Sequence, residues 1–284
     1  MQEAMQESEI TGIARKYMGE PAPIVGLFAA AIVLAYIFVV YAGITGLWPV
    51  WLAFVIASYL AFMAYTPLHE SVHQNICGRD KRFRWANDLV GYLAASILGF
   101  SFNAHKWAHR VHHLKTNVPG EDPDHVFRGN VVYDSLLGGV LLVANEYRMF
   151  FRDAYPKLDG KRQAIVLAEI ITFVGWRVVL AWWFPEETLL LCVLTSIAGV
   201  TWLVIIFAWL VHIPFDRTER YKDTSTYLLP RALHRIGTWL WLWQNYHTIH
   251  HLFPRIAFYK YETVYNQIEP GLRERGTPIH TLGH

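Results

Sequence analysis

Four stretches of this chain are long and apolar enough to cross a bilayer, and they constrain its fold more than any other feature. About 30 Å of hydrocarbon takes roughly 20 helical residues. The stretches run from about Ile24 to Ala42, Leu47 to Tyr65, Ala164 to Phe184 and Leu189 to Ile213. Gly43-Ile44-Thr45-Gly46 separates the first two, and the helix-breaking Pro185-Glu186-Glu187 separates the last two. The expected fold is therefore all-α and integral to a membrane, with four transmembrane helices as two hairpins.

Composition agrees. Hydrophobic residues make up 54% and charged residues 17%, against roughly a quarter charged in soluble domains. The 12 Trp and 15 Tyr suit a bilayer protein with aromatic residues at its interfaces. A net charge of +2, with no basic stripe interleaved with aromatics, excludes a nucleic-acid groove. The two cysteines, Cys77 and Cys192, support neither a disulfide framework nor a four-cysteine metal site built by this chain alone. The first twenty residues carry Glu3, Glu7, Glu9 and Glu20 and no apolar core, so the first span is expected to act as the insertion signal. With no linker and no repeat beyond the hairpins, residues 1–284 are expected to form one membrane domain.

Basic residues orient it. Neither short turn holds a Lys or Arg, and Arg177 alone of the 25 lies inside a span. The rest fall in the N-terminal tail, the 67–163 segment or the tail after His212, which the positive-inside rule places in the cytoplasm. Leu89–Phe102 is too short to span and is expected to be re-entrant or interfacial. Val131–Phe151 contains Asp134, Asn145, Glu146 and Arg148, and is expected as an amphipathic helix on the cytoplasmic face. Leu233–Trp243, with three tryptophans, is expected at the interface as well.

The histidines all fall on this expected cytoplasmic side, in the 67–163 segment or from His212 onward. Three boxes stand out: His69-Glu70-Ser71-Val72-His73, His109-Arg110-Val111-His112-His113 and His247-Thr248-Ile249-His250-His251. Helical residues three and four apart share a face, so each box projects its imidazoles together. His212, at the cytoplasmic end of the fourth span, is either a ninth ligand or a cap on helix carbonyls. Imidazole binds iron, copper, zinc or nickel, and one ion takes about four to six ligands. Eight or nine histidines therefore suit two ions with positions left open. A redox metal in a membrane, with no hydrolytic partner in view, points to dioxygen activation for attack on a C–H bond.

The boxes and their spacing resemble those of the membrane fatty acid desaturase and hydroxylase superfamily, over about Pro67 to Tyr261. The resemblance implies a non-haem di-iron centre ligated by His69, His73, His109, His112, His113, His247, His250 and His251, with His212 matching the extra ligand before the third box. It also implies dioxygen as co-substrate and two electrons from an external donor such as a ferredoxin. Glu121-Asp122-Pro123-Asp124-His125 looks like the acidic signature of carotenoid-ring hydroxylases and ketolases. Gln244-Asn245-Tyr246 and the run from Leu252 to Tyr259 resemble the β-carotene hydroxylase branch, although acyl-lipid desaturases share much of that pattern. Ala208 departs from the acyl-CoA desaturases, which carry an Asn one turn before the extra histidine. The expected function is hydroxylation of a lipid-soluble substrate, with a carotenoid ring first and acyl-lipid desaturation as the alternative. A haem-binding membrane electron carrier and a metal transporter are the readings from other classes. Both place their key residues within the spans, where this chain offers Glu169 and Arg177.

Other residues have two readings each. Asp122 and Asp124 either bond the far nitrogens of ligating histidines or start the turn at Pro123. Asn245 either orients His247 or sits on a helix surface. Glu70 completes the His-Glu-x-x-His spacing of zinc proteases, which lack the further boxes. His105, one turn before His109, is a tenth ligand or a supporting residue. His280 and His284 belong to no box. The expected partners are a hydrophobic substrate, membrane lipids and the electron donor, with no nucleic acid.

Overall fold

A computed structural model of the protein describes residues 5–126 and 131–282. Helix α1 (Glu7–Arg15) is followed by α2 (Pro23–Ile44), α3 (Val50–Val72), α4 (Arg84–Leu98), α5 (Phe102–Lys115), α6 (Val131–Asp153) and α7 (Gly160–Trp183). A last long helical run, Pro185–Trp209, contains wider π-type turns at Leu189–Leu194 and Val204–Trp209. Short helices at His234–Leu240 and His247–Leu252, then a longer one at Tyr261–Glu274, complete the chain. Helices α2, α3, α7 and Pro185–Trp209 are the four long and apolar enough to cross a membrane.

Each of these four is apolar on both faces, as expected of helices packed on one side and immersed in lipid on the other. Helix α2 buries Val25, Ala29, Ile32, Tyr36 and Val39, at three- and four-residue steps. It leaves Leu27, Leu34, Ile37 and Tyr41 exposed. Helices α2 and α3 pack along each other, and α3 packs closely against the last long helix. Small residues permit that approach. A Cβ placed on Gly199 would stand 2.7 Å from the Ala61 side chain and 2.8 Å from the Phe62 backbone nitrogen.

The spans differ from expectation at their ends. Helix α3 continues past Tyr65, through Pro67, to Val72, so His69 lies within it. The last long helix ends at Trp209 rather than Ile213, which leaves His212 in the turn that follows. Pro214 lies within this turn and cannot supply a helical N–H.

Helix α4 fills the space between α2, α3 and α7. Its C-terminal carbonyls at Ser96 and Ile97 accept hydrogen bonds from the Arg177 guanidinium, at 3.0 and 2.9 Å. These are the orphan acceptors of a helix end, where a cation also meets the negative pole of the helix dipole. The chain then reverses at Gly99, whose φ of +83° suits glycine, and α5 leads back to the second box. Helix α6 forms where an amphipathic helix is expected, but it packs along the last long helix and against α5. Its Glu146 is buried and bonded to His105 at 3.0 Å, so it does not lie apart on a face.

The described residues are mostly helical, as expected, with one small addition. Thr226–Leu228 and Ile279–Thr281 pair as two short parallel strands. Tyr227 stacks on His280 across this pair, with ring centroids 4.8 Å apart. Helix α1 seats Ile10 against Gly271 of the 261–274 helix, which ties the N-terminal segment to the C-terminal one. His284 lies outside the described residues.

Candidate metal centre

Three local structures present the boxes. His69 lies in the last turn of α3 and His73 is the residue that caps it. Helix α5, N-capped by Ser101, whose hydroxyl accepts from the Ala104 N–H at 3.1 Å, carries His109, His112 and His113. The third box is the short helix His247–Leu252, which begins after two residues in left-handed conformation, Leu242 (φ 51°) and Trp243 (φ 60°).

The nine histidine rings form one cluster. His69 Nε2 and His250 Nε2 are 2.9 Å apart, although 181 residues separate them in sequence. His109 Nε2 stands 3.0 Å from Nε2 of both His73 and His113. His112 Nε2 is 3.3 Å from His251 Nε2. Ligand atoms of His69, His73, His109, His113 and His250 lie within 4.8 Å of one another, and so do those of His112, His212 and His251. The His247 ring adjoins the second group, with centroids 5.2 Å from His212 and 4.7 Å from His251.

These spacings fit a metal. Neutral imidazoles whose Nε2 atoms all converge cannot satisfy one another by hydrogen bonding, because one nitrogen in each pair must donate and His109 faces two partners. Around an ion with metal–nitrogen bonds of ~2.1 Å, neighbouring ligands at right angles stand about 3.0 Å apart, the separation seen here. The set is all imidazole, which favours a first-row transition ion over calcium or magnesium.

Electrostatics point the same way. Burial pushes the imidazoles of His73, His109, His113, His247, His250 and His251 well below their ordinary range. It takes His212 down to about 3, helped by nearby His112. These rings are neutral at physiological pH, which is the ligating form. His112 is the exception. Burial opposes its charged form, but the carboxylates of Asp122 and Asp124 outweigh this and raise it to about 9.

Four of the far nitrogens have partners of the kind that orient metal-bound histidines, whereas Nδ1 of His69 and of His212 is buried without a hydrogen bond. His112 Nδ1 donates to Asp122 at 2.9 Å, with Asp124 at 3.7 Å. His250 Nδ1 lies 3.0 Å from the Tyr261 hydroxyl and His247 Nδ1 lies 3.1 Å from Gln244 Oε1. His251 Nδ1 is 3.6 Å from an Asp223 oxygen and 3.4 Å from the Thr116 hydroxyl. Asn117 ties these elements together. Its N–H donates to Asp122 at 2.8 Å, and its side chain donates to the carbonyls of Arg217 and Asp223.

Of the residues with two readings, Asp122 both holds His112 and shapes its turn, since its carboxylate also accepts from the Asp124 N–H at 2.9 Å. Asn245 does neither thing expected of it. It is fully buried and donates to the Tyr227 carbonyl at 3.1 Å, while its neighbour Gln244 meets His247. Glu70 is equally buried and accepts from Asn75 and from the Phe258 N–H, so it holds the third-box loop rather than facing an open position. His105 stands outside both groups. Its Nδ1 bonds Glu146 and its Nε2 is buried without a partner. Sequence reasoning missed Gln244, Tyr261, Asp223 and Glu146. Only Gln244, three residues before His247 and so on its face, left a local signal.

A fatty acid desaturase family model matches residues 45–283, a span that contains all nine histidines. The chain belongs to the fatty acid desaturase family. It is therefore an oxidoreductase and, with four apolar helices of spanning length, an integral membrane protein. No curated protein matches it significantly. The family is one of membrane oxidoreductases rather than of haem carriers or transporters, and the clustered imidazoles could hold a metal.

Proposed function

We propose that this desaturase-family protein holds two iron ions and uses dioxygen and external electrons to hydroxylate a C–H bond of a lipid-soluble substrate, a carotenoid ring. His69, His73, His109, His113 and His250 hold one ion; His112, His212, His247 and His251 hold the other. The observation that carries this reading is the convergence of imidazole nitrogens in two adjoining groups, five in one and three in the other, with Nε2 pairs at 2.9–3.3 Å and the His247 ring beside the second group. The smaller group leaves more of its ion open.

Bound iron supplies activation of dioxygen. The chain's own residues prepare for it. Asp122 keeps the His112 proton on Nδ1, which frees Nε2 to ligate. Tyr261 and Gln244 fix the ring orientations of His250 and His247. Phe207, whose ring lies 5.1 Å from His69 and 5.2 Å from His247, closes the apolar side of the cluster and excludes water. The carotenoid preference rests on the Asp122-Pro123-Asp124-His125 run and on Ala208, where an acyl-CoA enzyme has Asn. Acyl-lipid desaturation is the second reading, favoured by the matched family's description. The basic segments, by the positive-inside rule, support a cytoplasmic side for both termini and the metal centre, within reach of a soluble electron donor such as a ferredoxin.

Expression in a carotene-producing host, with pigment and membrane acyl-chain analysis, tests this. Oxygenated carotenoid, lost in His112→Ala and His250→Ala, is the expected result. Unchanged carotene beside new acyl double bonds would replace the substrate. Neither product from iron-loaded membranes supplied with reductant would remove the oxygenase reading.

A further inference from the structure

A cavity of about 710 Å³ lies between α6, α7 and the last long helix, with the α4 turn at its inner end. That is within the range of small-molecule sites. It exists because α7 stands off from its neighbours: it packs on the short Pro185–Thr188 turn and on α4 and α5, and buries only Val166 of its own surface.

The inner end of this cavity points toward the metal centre. Phe100, Val143 and Val200 line it. The Phe100 ring lies 5.1 Å from His105, which stacks on His109 at 5.7 Å. On α6, Glu146 stands about one turn beyond Val143 and bonds His105. On the last long helix, Phe207 stands about two turns beyond Val200 and meets His69. Three elements therefore lead from the cavity to the histidine rings, and Phe100 separates the two.

The lining also specifies the occupant. Among the described residues that line the cavity, Arg177 carries the charge. A guanidinium has five N–H donors. Here they go to the carbonyls of Cys192, Ser96, Phe173 and Ile97 and to the Ser196 hydroxyl, at 2.8–3.1 Å. None remains for a carboxylate, phosphate or thioester head. We infer that this cavity holds the uncharged hydrocarbon part of the substrate, which reaches it sideways from the bilayer between α6 and α7, with Phe100 as the partition before the metal centre. This inference rests on the oxygenase reading given above and adds the substrate's route and chemistry.

Tryptophan scanning on α7 tests it. Val174 and Val178 line the cavity, whereas the neighbouring Val179, similarly exposed, does not. Val174→Trp and Val178→Trp should lower product formation at limiting substrate at least tenfold at full iron content, and Val179→Trp should leave it unchanged. In parallel, an uncharged long-chain hydrocarbon bearing a diazirine should label residues 139–144 and 174–178 of the iron-loaded protein in vesicles, and Val178→Trp should block that labelling. Equal activity and labelling in all three variants would mean that bilayer lipid alone fills the cavity, and would overturn the inference. Labelling that Val178→Trp blocks, in a protein that oxidises neither carotenoid nor acyl chain, would sink the oxygenase reading and leave the hydrocarbon site standing.

Discussion

His112 donates from Nδ1 to the Asp122 carboxylate at 2.9 Å, while its Nε2 faces His251 Nε2 at 3.3 Å. One ring thus joins a buried acid to the smaller histidine group. Carboxylate support of this kind is worth 10–100-fold in metal affinity. Asp122→Asn should weaken iron binding by roughly that factor and lower activity in step. Asp124→Asn, 3.7 Å away, should do less. Titration of the metal-free protein with ferrous iron measures both, and equal affinity in Asp122→Asn and wild type would contradict the role given to Asp122.

Gln244 and Asn245 are adjacent and separable. Gln244 meets His247 Nδ1, whereas Asn245 holds the Tyr227 backbone. Gln244→Ala should reduce iron affinity with little change in unfolding temperature. Asn245→Ala should lower the unfolding temperature, since it strands a buried carbonyl at a cost of about 1–3 kcal/mol, and should spare metal binding in the folded fraction. The reverse pattern would exchange their roles. His280→Ala, at an exposed ring in no histidine group, is the matched control and should bind iron normally.

Protons and metal compete for the same nitrogens. His73, His109, His113, His212, His247, His250 and His251 are held below their ordinary range by burial. As pH falls through about 6.5, the unfolded chain takes up protons that the folded chain refuses, so stability drops. Asp124 and Asp223, raised by burial to about 7 and about 6, work the other way in this window. His112 adds stability that is present below about 6.5 and lost as pH rises through its folded value of about 9. Seven groups against two set the sign below 6.5. The metal-free protein should therefore lose about 5 °C or more of unfolding temperature between pH 6.5 and 5.5. A flat or rising profile in scanning calorimetry would refute this balance.

Arg177 joins α7, α4 and the last long helix through five hydrogen bonds in an apolar setting. In Arg177→Met the carbonyls of Ser96 and Ile97 have no water to replace the lost donors. Unfolding temperature should fall by roughly 5 °C or more, and Arg177→Lys should rescue only part, because an ammonium has three donors instead of a planar fork. Full stability of the Met variant in detergent would show that this cation is dispensable.

The sequence by itself determined the four apolar helices, the three boxes and the sharing of one face by each box, because hydropathy and helical periodicity are local properties. It also marked Glu169 and Arg177 as polar residues within spans, which the structure puts to use at the α4–α5 turn. Tertiary structure alone decided which box histidines come together, His69, His73, His109, His113 and His250 in one group and His112 and His251 with His212 in the other, because that depends on contacts such as His69 with His250, 181 residues apart. Tertiary structure also decided that α6 packs along the last long helix, that His212 lies past a helix end, and that Gln244 rather than Asn245 meets His247. Each of these depends on how closely helices approach, as at Gly199 against Ala61. Periodicity shows which side chains leave a helix together, and only packing shows what they meet.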